Sequence, residues 1–222
     1  MFQSLGHQEH VSLLSYSSHW DHWNIFKSIM ASDDQTRWDR QYSSSAGADQ
    51  PSDYLRQILE SDAWHIPRGI ALDVAAGTGR NAIFLAEMGF TVAGIDISTV
   101  AIEKARRRAD EKSLEITWLQ ADLEHIELST DAYDLIVNFN YLQRSLFPQI
   151  RRALRPRGHV IFETYLIDQQ AMGHPKNPAY LLDHNELLDH FRSFRVLCYR
   201  EGKYTDGGGA AFRASIFSRK IQ

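Results

Sequence analysis

The sequence has little cysteine and no long apolar run, and both absences exclude classes of protein. Its 222 residues include one cysteine, Cys198, which cannot form an internal disulfide or a cysteine-based metal cluster. We expect Cys198 to be a core thiol in a late strand. No apolar run approaches the roughly 18 residues that a membrane span needs, and no basic region followed by an apolar block marks a signal peptide. We therefore expect a cytoplasmic protein with no membrane partner and no metal centre.

An excess of one sign of charge is also lacking. The formal net charge is −4 and the pI is about 6.2, which argues against a nucleic-acid partner held by electrostatic attraction. The length favours a single domain with a sizeable core. Residues 1–35 show no sustained hydrophobic period and are predicted to be an N-terminal extension whose order the sequence leaves open. Residues 36–222 are predicted to form the domain.

The stretch from Gly69 to Ala86 organises the rest of the chain. It predicts a buried strand over Ile70–Val74, a glycine turn through Gly77, and a helix that begins near Gly79. An unbroken apolar run is typical of a parallel strand that is buried on both faces. Glycine lets a ligand approach the backbone closely, and a helix N-terminus offers free N–H groups with partial positive charge. The turn is therefore a predicted cofactor cradle.

The residues around this turn leave two cofactor classes open. Gly77, Gly79 and Ala82 satisfy the G-x-G-x-x-G/A dinucleotide pattern, and Asp96 lies near the position of a ribose-binding acid. An NAD-linked oxidoreductase is one interpretation of this pattern. Asp73, however, lies at the end of the first strand, where its carboxylate would repel a pyrophosphate and attract a cation. S-adenosylmethionine (SAM) carries an ammonium and a sulfonium and no phosphate, so the sequence favours SAM.

Three short motifs resemble those of the class I SAM-dependent methyltransferases. They are Leu72-Asp73-Val74-Ala75-Ala76-Gly77-Thr78-Gly79, Gly94-Ile95-Asp96-Ile97-Ser98 and Gln120-Ala121-Asp122-Leu123. The resemblance runs from about Trp38 to the C-terminus, and the Gly-x-Gly-Arg-Asn turn is similar to that of the small tellurite-resistance-type methyltransferases. Two positions depart from the family pattern. Ala75-Ala76 stands where the family often has Gly-Cys, and Arg157 replaces a glycine in a turn that is usually Pro-Gly-Gly.

The resemblance implies a doubly wound, Rossmann-like α/β fold with a seven-stranded, mostly parallel sheet, an antiparallel last strand and helices on both faces. It implies that Asp96 holds the ribose hydroxyls of SAM, that Asp122 receives the adenine amino group, and that a Trp-x-x-x-Tyr segment folds over the cofactor. Two aromatics at positions i and i+4 would equally dock a helix on the sheet. The predicted cofactor-binding residues are Trp38, Tyr42, Asp73, Ala75, Gly77, Gly79, Asn81, Asp96, Ile97, Asp122, Leu123 and Asn138.

The remaining chain alternates between predicted strands and helices. Strands are predicted over 91–95, 115–119, 133–139 and 159–165, and helices over 54–59, 82–88, 98–111 and 185–191. A short helix is expected to begin near Pro148, and Asp183 is expected to cap the last helix. Segments 194–200 and 210–218 are predicted to form an antiparallel hairpin at the sheet edge. The basic run from Arg106 to Arg108 is predicted to be a solvated face.

Substrate residues are expected after the fourth and fifth strands, because ligands bind at the carboxyl ends of strands in such sheets. Tyr141 and Arg144 follow the fourth strand. Arg144 is either a group that attracts an oxyanion or a surface arginine. His174 and Tyr180 lie in the loop 166–182, and a plain connecting loop is the alternative there.

The predicted function is SAM-dependent methyl transfer to a small molecule or an oxyanion, by in-line displacement. No catalytic dyad is evident near the fourth strand, so we assign no catalytic residue and expect orientation to supply much of the acceleration. The alternatives are an NAD-linked oxidoreductase, a methyltransferase that acts on RNA or protein, and a non-catalytic SAM-binding protein.

Overall fold

A computed structural model describes residues 24–45, 47–207 and 209–222 of the protein. Within these residues, seven strands form one sheet in the order β3-β2-β1-β4-β5-β7-β6. The strands are β1 (Ile70–Val74), β2 (Thr91–Asp96), β3 (Ile116–Gln120), β4 (Tyr133–Phe139), β5 (Leu154–Tyr165), β6 (Arg195–Asp206) and β7 (Gly209–Arg219). Strands β1 to β5 pair in parallel, and β7 runs antiparallel to both β5 and β6. The predicted fold class is therefore confirmed, including the antiparallel last strand.

Helices cover both faces of this sheet. They are α1 (Asn24–Ser44), α2 (Asp53–Leu59), α3 (Arg80–Glu87), α4 (Thr99–Glu111), α5 (Leu146–Ala153) and α6 (Glu186–Phe191), with short 3-10 turns at Ile167–Ala171 and Pro178–Tyr180. Along β4, Leu135 and Val137 belong to the core cluster under α2, α3 and α4, whereas Ile136 belongs to the cluster under α5 and α6. This alternation explains why β4 reads as a continuous apolar run. None of the helices in the described ranges is both long and apolar enough to cross a membrane.

The strand register brings the carboxyl ends of β1, β2 and β4 together. Val74 lies opposite Ile95 of β2 and Asn138 of β4. The Ala76 N–H then donates to the Ile95 carbonyl at 2.8 Å, which extends the β1–β2 pairing into the turn. Because the segments that leave these strands meet at one edge of the sheet, their side chains converge there.

Several element boundaries differ from the predictions. Strand β5 begins at Leu154 rather than at residue 159, and β6 and β7 are longer than predicted. Asp183 does not cap α6 through its side chain. The N-cap of α6 is Asn185, which makes no side-chain cap hydrogen bond, while Asp183 donates its N–H to Glu186 Oε2 at 2.8 Å. Pro148 lies in the first turn of α5, as predicted.

Helix α1 runs through residue 35 without a break, and the division into an extension and a domain at that residue stays a prediction.

The turn before the second half of β5 contains Arg157, which adopts a φ of 68°. The turn therefore keeps the left-handed backbone of the glycine that the family usually has there, although an L-residue pays a steric cost in this region.

Candidate functional site

The turn between β1 and α3 passes repeatedly through left-handed backbone conformations. Ala75, Gly77 and Gly79 have φ values of 54°, 55° and 81°, a region that disfavours any residue with a Cβ. A Cβ built on Gly77 would lie 2.8 Å from the Tyr42 hydroxyl, so this glycine makes room for the tyrosine above the turn. Ala75 has a Cβ and still adopts this left-handed conformation, so it pays a steric cost that glycine would avoid.

Gly79 serves packing rather than the wall of the cavity described below. A Cβ on Gly79 would lie 2.6 Å from Cη2 of Trp118 and 2.9 Å from the Ala105 Cβ. A Cβ on Gly94 would lie 2.5 Å from Cζ3 of the same tryptophan. The Trp118 ring therefore lies across two glycines, which gives Gly79 a role in helix–sheet packing, and its predicted cofactor contact stays a prediction.

Asp96 ties the end of β2 to the turn. Its Oδ2 accepts from the Gly77 N–H at 2.7 Å, and its Oδ1 accepts from the Ser98 N–H at 2.9 Å. The residue is 6% exposed, and burial raises its pKa in spite of these backbone hydrogen bonds. The N-cap of α4 is Ser98, whose Oγ accepts from the Ala101 N–H at 3.1 Å. Asp96 is thus not the cap, and its oxygens have further lone pairs to offer to a ligand.

Asp73 is buried behind the turn. It is 1% exposed, its carboxyl group accepts from the Ala82 N–H, and its Oδ2 makes no hydrogen bond with any described residue. Burial raises the pKa of Asp73 to about 7, against the attraction of Arg80. Near neutral pH this group carries only part of a negative charge, so it repels a pyrophosphate less strongly than the sequence argument assumed.

Helix α1 brings two aromatic rings over the turn. Trp38 and Tyr42 stack with their ring centroids 5.9 Å apart, and both line the cavity. The helix is held on α4 by Asp39, whose Oδ1 accepts from Ser98 Oγ at 2.6 Å and from the Val100 N–H at 3.2 Å. A helix that covers the cofactor and a helix that is docked on the domain are therefore compatible interpretations of this segment. The docking surface is α4 rather than the sheet.

Arg108 holds the segment between α1 and α2 against the turn, a role that the sequence analysis missed. Its Nη1 donates to the Thr78 carbonyl at 3.0 Å and to the Ala48 carbonyl at 3.2 Å, and its Nη2 lies 3.1 Å from Asp49 Oδ1. The predicted solvated face holds for Arg106 and Arg107, which are exposed, but not for the half-buried Arg108. Lys104 also donates to this segment, to the Ser45 carbonyl at 2.8 Å. The i, i+4 spacing of Lys104 and Arg108, which puts both side chains on one face of α4, was the sequence signal for this shared role.

Asp122 follows β3 at the same edge of the sheet. Its Oδ1 accepts from the Glu124 N–H at 2.9 Å, and its Oδ2 lies 2.7 Å from His125 Nδ1. Tyr141 belongs to the same region, since its hydroxyl contacts Gln143 Oε1 at 2.6 Å and the Gln143 amide donates to the Leu123 carbonyl at 3.2 Å. The segments after β3 and β4 are thereby tied together.

These elements enclose a cavity of about 1260 Å³. Nine of the predicted cofactor residues line it: Trp38, Tyr42, Ala75, Gly77, Asn81, Asp96, Ile97, Asp122 and Leu123. Of the predicted substrate residues, Tyr141, His174 and Tyr180 line it. The Asn81 side chain also closes one side of the cavity, because its Oδ1 accepts from the Ser52 N–H at 2.9 Å.

Asp73, Gly79, Asn138 and Arg144 lie outside this lining. Asn138 is 1% exposed and donates from Nδ2 to the Tyr141 carbonyl at 2.7 Å, so it shapes the segment after β4. Arg144 forms a two-bond ion pair with Glu186, Nε to Oε1 at 2.8 Å and Nη2 to Oε2 at 2.9 Å. Since its guanidinium is committed to this pair, the prediction that Arg144 attracts an oxyanion is not supported.

Comparison with known proteins shows what this chain is similar to. Residues 71–158 match the family model described as a methyltransferase domain. The chain is 33% identical over 95 residues to the uncharacterized methyltransferase YodH of Bacillus subtilis, across 40% of each chain. It is 32% identical over 99 residues to the ubiquinone biosynthesis O-methyltransferase of Photorhabdus laumondii, across 42% of this chain and 41% of that protein. The aligned part thus spans about two fifths of the length of these relatives.

The fold is similar to that of TehB from Haemophilus influenzae, with a TM-score of 0.61 and 21% identity over 76% of this chain and 66% of that one. The sheet order and the glycine turn define a Rossmann-like methyltransferase fold. Residues 71–158 are thus similar to a methyltransferase domain, within a fold that is similar to that of TehB. The domain match supports SAM as the cofactor.

The residues at the turn fit SAM. Behind the turn, Asp73 Oδ2 is a buried acceptor without a hydrogen bond to a described residue, and a hydrogen-bond donor on a ligand would satisfy it. Gly77 lines the cavity, and its lack of a Cβ leaves the Tyr42 hydroxyl room above the turn. The lining acids Asp96 and Asp122 supply acceptors for hydroxyl and amino groups, and neither suits a phosphate.

Proposed function

We propose that this protein transfers a methyl group from SAM to a small-molecule acceptor. The observation that supports this most directly is the Asp96 carboxylate, which bridges the Gly77 and Ser98 N–H groups on the wall of a cavity large enough for two ligands. Ligand cavities of drug-sized molecules measure roughly 300–1,000 Å³. The name of the Photorhabdus relative, a ubiquinone biosynthesis O-methyltransferase, also supports a small-molecule acceptor.

Each group around the turn has a proposed role in holding the donor. Asp96 accepts hydrogen bonds from the ribose hydroxyls, and Asp122 accepts from the adenine amino group. Gly77 allows close approach of the backbone, while Trp38 and Tyr42 cover the site and exclude water. SAM, when bound, supplies a methyl group on a sulfonium, which is already a good leaving group. The protein therefore contributes mainly orientation of the acceptor, a contribution that can be large.

The remaining alternatives receive less support. An NAD-linked oxidoreductase rests on the glycine pattern alone, and the domain match and the relatives favour methyl transfer instead. For an RNA acceptor, the net charge of −4 provides no electrostatic basis. A SAM-binding protein without activity would bind the donor and turn over no acceptor.

Calorimetric titration with SAM, S-adenosylhomocysteine (SAH) and NADH tests the proposal. We expect SAM and SAH to bind and NADH not to bind. Asp96→Ala should weaken SAH binding about 10- to 100-fold, because hydrogen bonds to a charged group contribute about 1.5–3 kcal/mol each. Binding of NADH without SAH, or an unchanged SAH affinity in Asp96→Ala, would contradict the proposal.

Asp134→Asn is the matched control for this variant. Asp134 Oδ2 also accepts a backbone N–H, from Ile70 at 2.8 Å, but it lies at the opposite end of the sheet. The control should lose stability without losing SAH affinity. Asp96→Asn, which keeps one oxygen acceptor, provides a second variant should Asp96→Ala not fold, and we expect an intermediate affinity.

A further inference from the structure

We propose that the methyl acceptor is a planar, ring-bearing organic molecule of low polarity and not an inorganic oxyanion. This inference rests on the proposed function, because it assigns the part of the same cavity that the donor leaves for the acceptor. It follows from the side chains at and beyond the ends of β4 and β5, from the charges that line the cavity, and from the hydrogen bonds that Arg144 makes to the chain itself.

Four aromatic side chains line the cavity at or beyond the ends of these strands. They are Phe139, Tyr141, Tyr165 and Tyr180, which we call the ring wall. Phe139 and Tyr165 are the last residues of β4 and β5, and Leu142 and Pro175 add apolar surface between the rings. Such a lining favours a ligand with a flat π-face, since aromatic pairs attract beyond the effect of buried area.

The charges of the lining disfavour a free oxyanion. Among the described residues, six carboxyl groups line the cavity: Asp34, Asp49, Asp53, Asp96, Asp122 and Glu124. They outnumber the guanidinium groups there, which are those of Arg37, Arg56, Arg80 and Arg213, and no lysine in the described ranges lines it. An excess of negative groups attracts the cationic donor and repels an anion.

Three of the four lining arginines are also engaged with acids of the chain itself, and the fourth, Arg80, donates from Nη1 to the Gln50 carbonyl at 3.4 Å. Arg37 lies 3.0 Å from Asp34 Oδ1, and Arg56 lies 2.5 Å from Asp53 Oδ1. Arg213 Nη1 lies 3.5 Å from Glu163 Oε1, and its guanidinium covers the Tyr165 ring at 5.0 Å from the centroid. Arg213 therefore supports a member of the ring wall.

Arg144 fixes the most exposed member of the ring wall. Tyr180 is 45% exposed and lies on the loop 166–182. Arg144 Nη1 donates to the carbonyl of Ala179 at 3.3 Å, and its Nη2 donates to the carbonyl of Leu181 at 2.9 Å. These are the neighbours of Tyr180 on either side, and Glu186 holds the same guanidinium by two further bonds. Arg144 is thus a positioning residue for the acceptor rather than a group that binds it.

Ligand-observed NMR on the full chain saturated with SAH tests the inference. The probes are catechol and 2-naphthol, each paired with its saturated counterpart, cyclohexane-1,2-diol and decahydro-2-naphthol, with tellurite and selenite titrated by calorimetry. We expect the aromatic probes to bind about two- to tenfold more tightly than their saturated counterparts, the range that ring stacking supplies. Neither oxyanion should bind.

Two variants test the ring wall directly. Tyr180→Ala and Arg144→Lys should each weaken aromatic-probe binding at least twofold and leave SAH affinity unchanged. Arg151→Lys is the matched control, because Arg151 also donates from α5 to a backbone carbonyl, that of His190 at 2.8 Å, and lies outside the cavity lining. It should change neither affinity.

The outcomes separate this inference from the proposed function. Tighter binding of an oxyanion than of the aromatic probes would overturn the inference, as would no aromatic binding or no preference for aromatic over saturated rings. An effect of Arg144→Lys on SAH rather than on the probes would refute its positioning role. Failure of SAH itself to bind would overturn the proposed function and this inference with it.

Discussion

Single polar side chains in this protein hold backbone segments and face the cavity at the same time. Asp96 does both, since it fastens Gly77 and Ser98 and lines the cavity. Arg144 has only the first role, because Glu186 and two carbonyls take up its donors. Both residues were predicted to bind a ligand from their type and their place after a strand. Their contacts in the folded chain distinguish them.

Backbone conformation at one residue gives a direct prediction. Arg157→Gly should stabilise the protein by about 0.5–1 kcal/mol, because a left-handed residue with a Cβ costs about 1–2 kcal/mol and the freedom of glycine in the unfolded chain offsets part of the gain. The side chain is exposed and its φ is 68°. Thermal unfolding followed by circular dichroism should show a midpoint about 1–4 °C higher. Arg157→Ala keeps the Cβ, so an equal gain in that variant would contradict the explanation.

At the scale of elements, the attachment of α1 decides whether the cavity is covered. The helix lies on α4 and is held there by hydrogen bonds of Asp39 with Ser98 and Val100, of Gln35 with Thr99, and of Lys104 with the Tyr42 carbonyl. An attachment of this kind opens at lower free energy than a buried apolar one. We therefore expect ligands to enter by opening of α1.

Asp39→Ala should loosen α1 and weaken SAH binding several-fold. The substitution removes the acceptor for Ser98 Oγ and for the Val100 N–H, two bonds that contribute about 1 kcal/mol each. Hydrogen exchange of residues 33–44 should become faster, with little change in β1 and β4. Asp33→Ala, an exposed position on the same helix, is the control and should change neither exchange nor affinity. Unaltered exchange in Asp39→Ala would show that α1 is held by other contacts.

At the scale of the whole molecule, buried titratable groups make stability depend on pH. His159 in β5 is 5% exposed and stacks on Phe217 with ring centroids 5.5 Å apart. Burial, with a contribution from Arg219, lowers its pKa from 6.5 to about 4. Because the unfolded chain takes up the proton first, His159 costs no stability above pH 6.5, and stability is lost as the pH falls from 6.5 towards 4.

The His159→Phe variant should reveal this contribution. From pH 7 to pH 5 the wild type should lose about 2 kcal/mol of unfolding free energy relative to the variant, measured by urea unfolding at each pH. The comparison is made between proteins because the raised pKa of Asp73 acts in the opposite direction over the same range. His184→Phe is the control, since Asp168 raises the pKa of that exposed imidazole. A difference that does not change with pH would refute the assignment to His159.

Local sequence patterns predict where the strands lie along the chain and which polar residues follow them. Apolar runs such as β4, which are buried on both faces, and the glycine turn with an acid after β2 follow from local rules of periodicity and backbone sterics. The antiparallel pair β6 and β7 followed from alternation around a glycine-rich turn. These features depend on residues that are close together along the chain, so they can be predicted from the sequence.

The folded arrangement is needed to know which distant side chains contact one another. Arg108 meets Thr78 and Arg144 meets Glu186 across 30 and 42 residues, and no local pattern encodes such pairings. The same holds for Gly79, whose packing under the Trp118 ring no local pattern predicts. A long charged side chain can reach many partners, and the packing of the sheet and helices selects one of them.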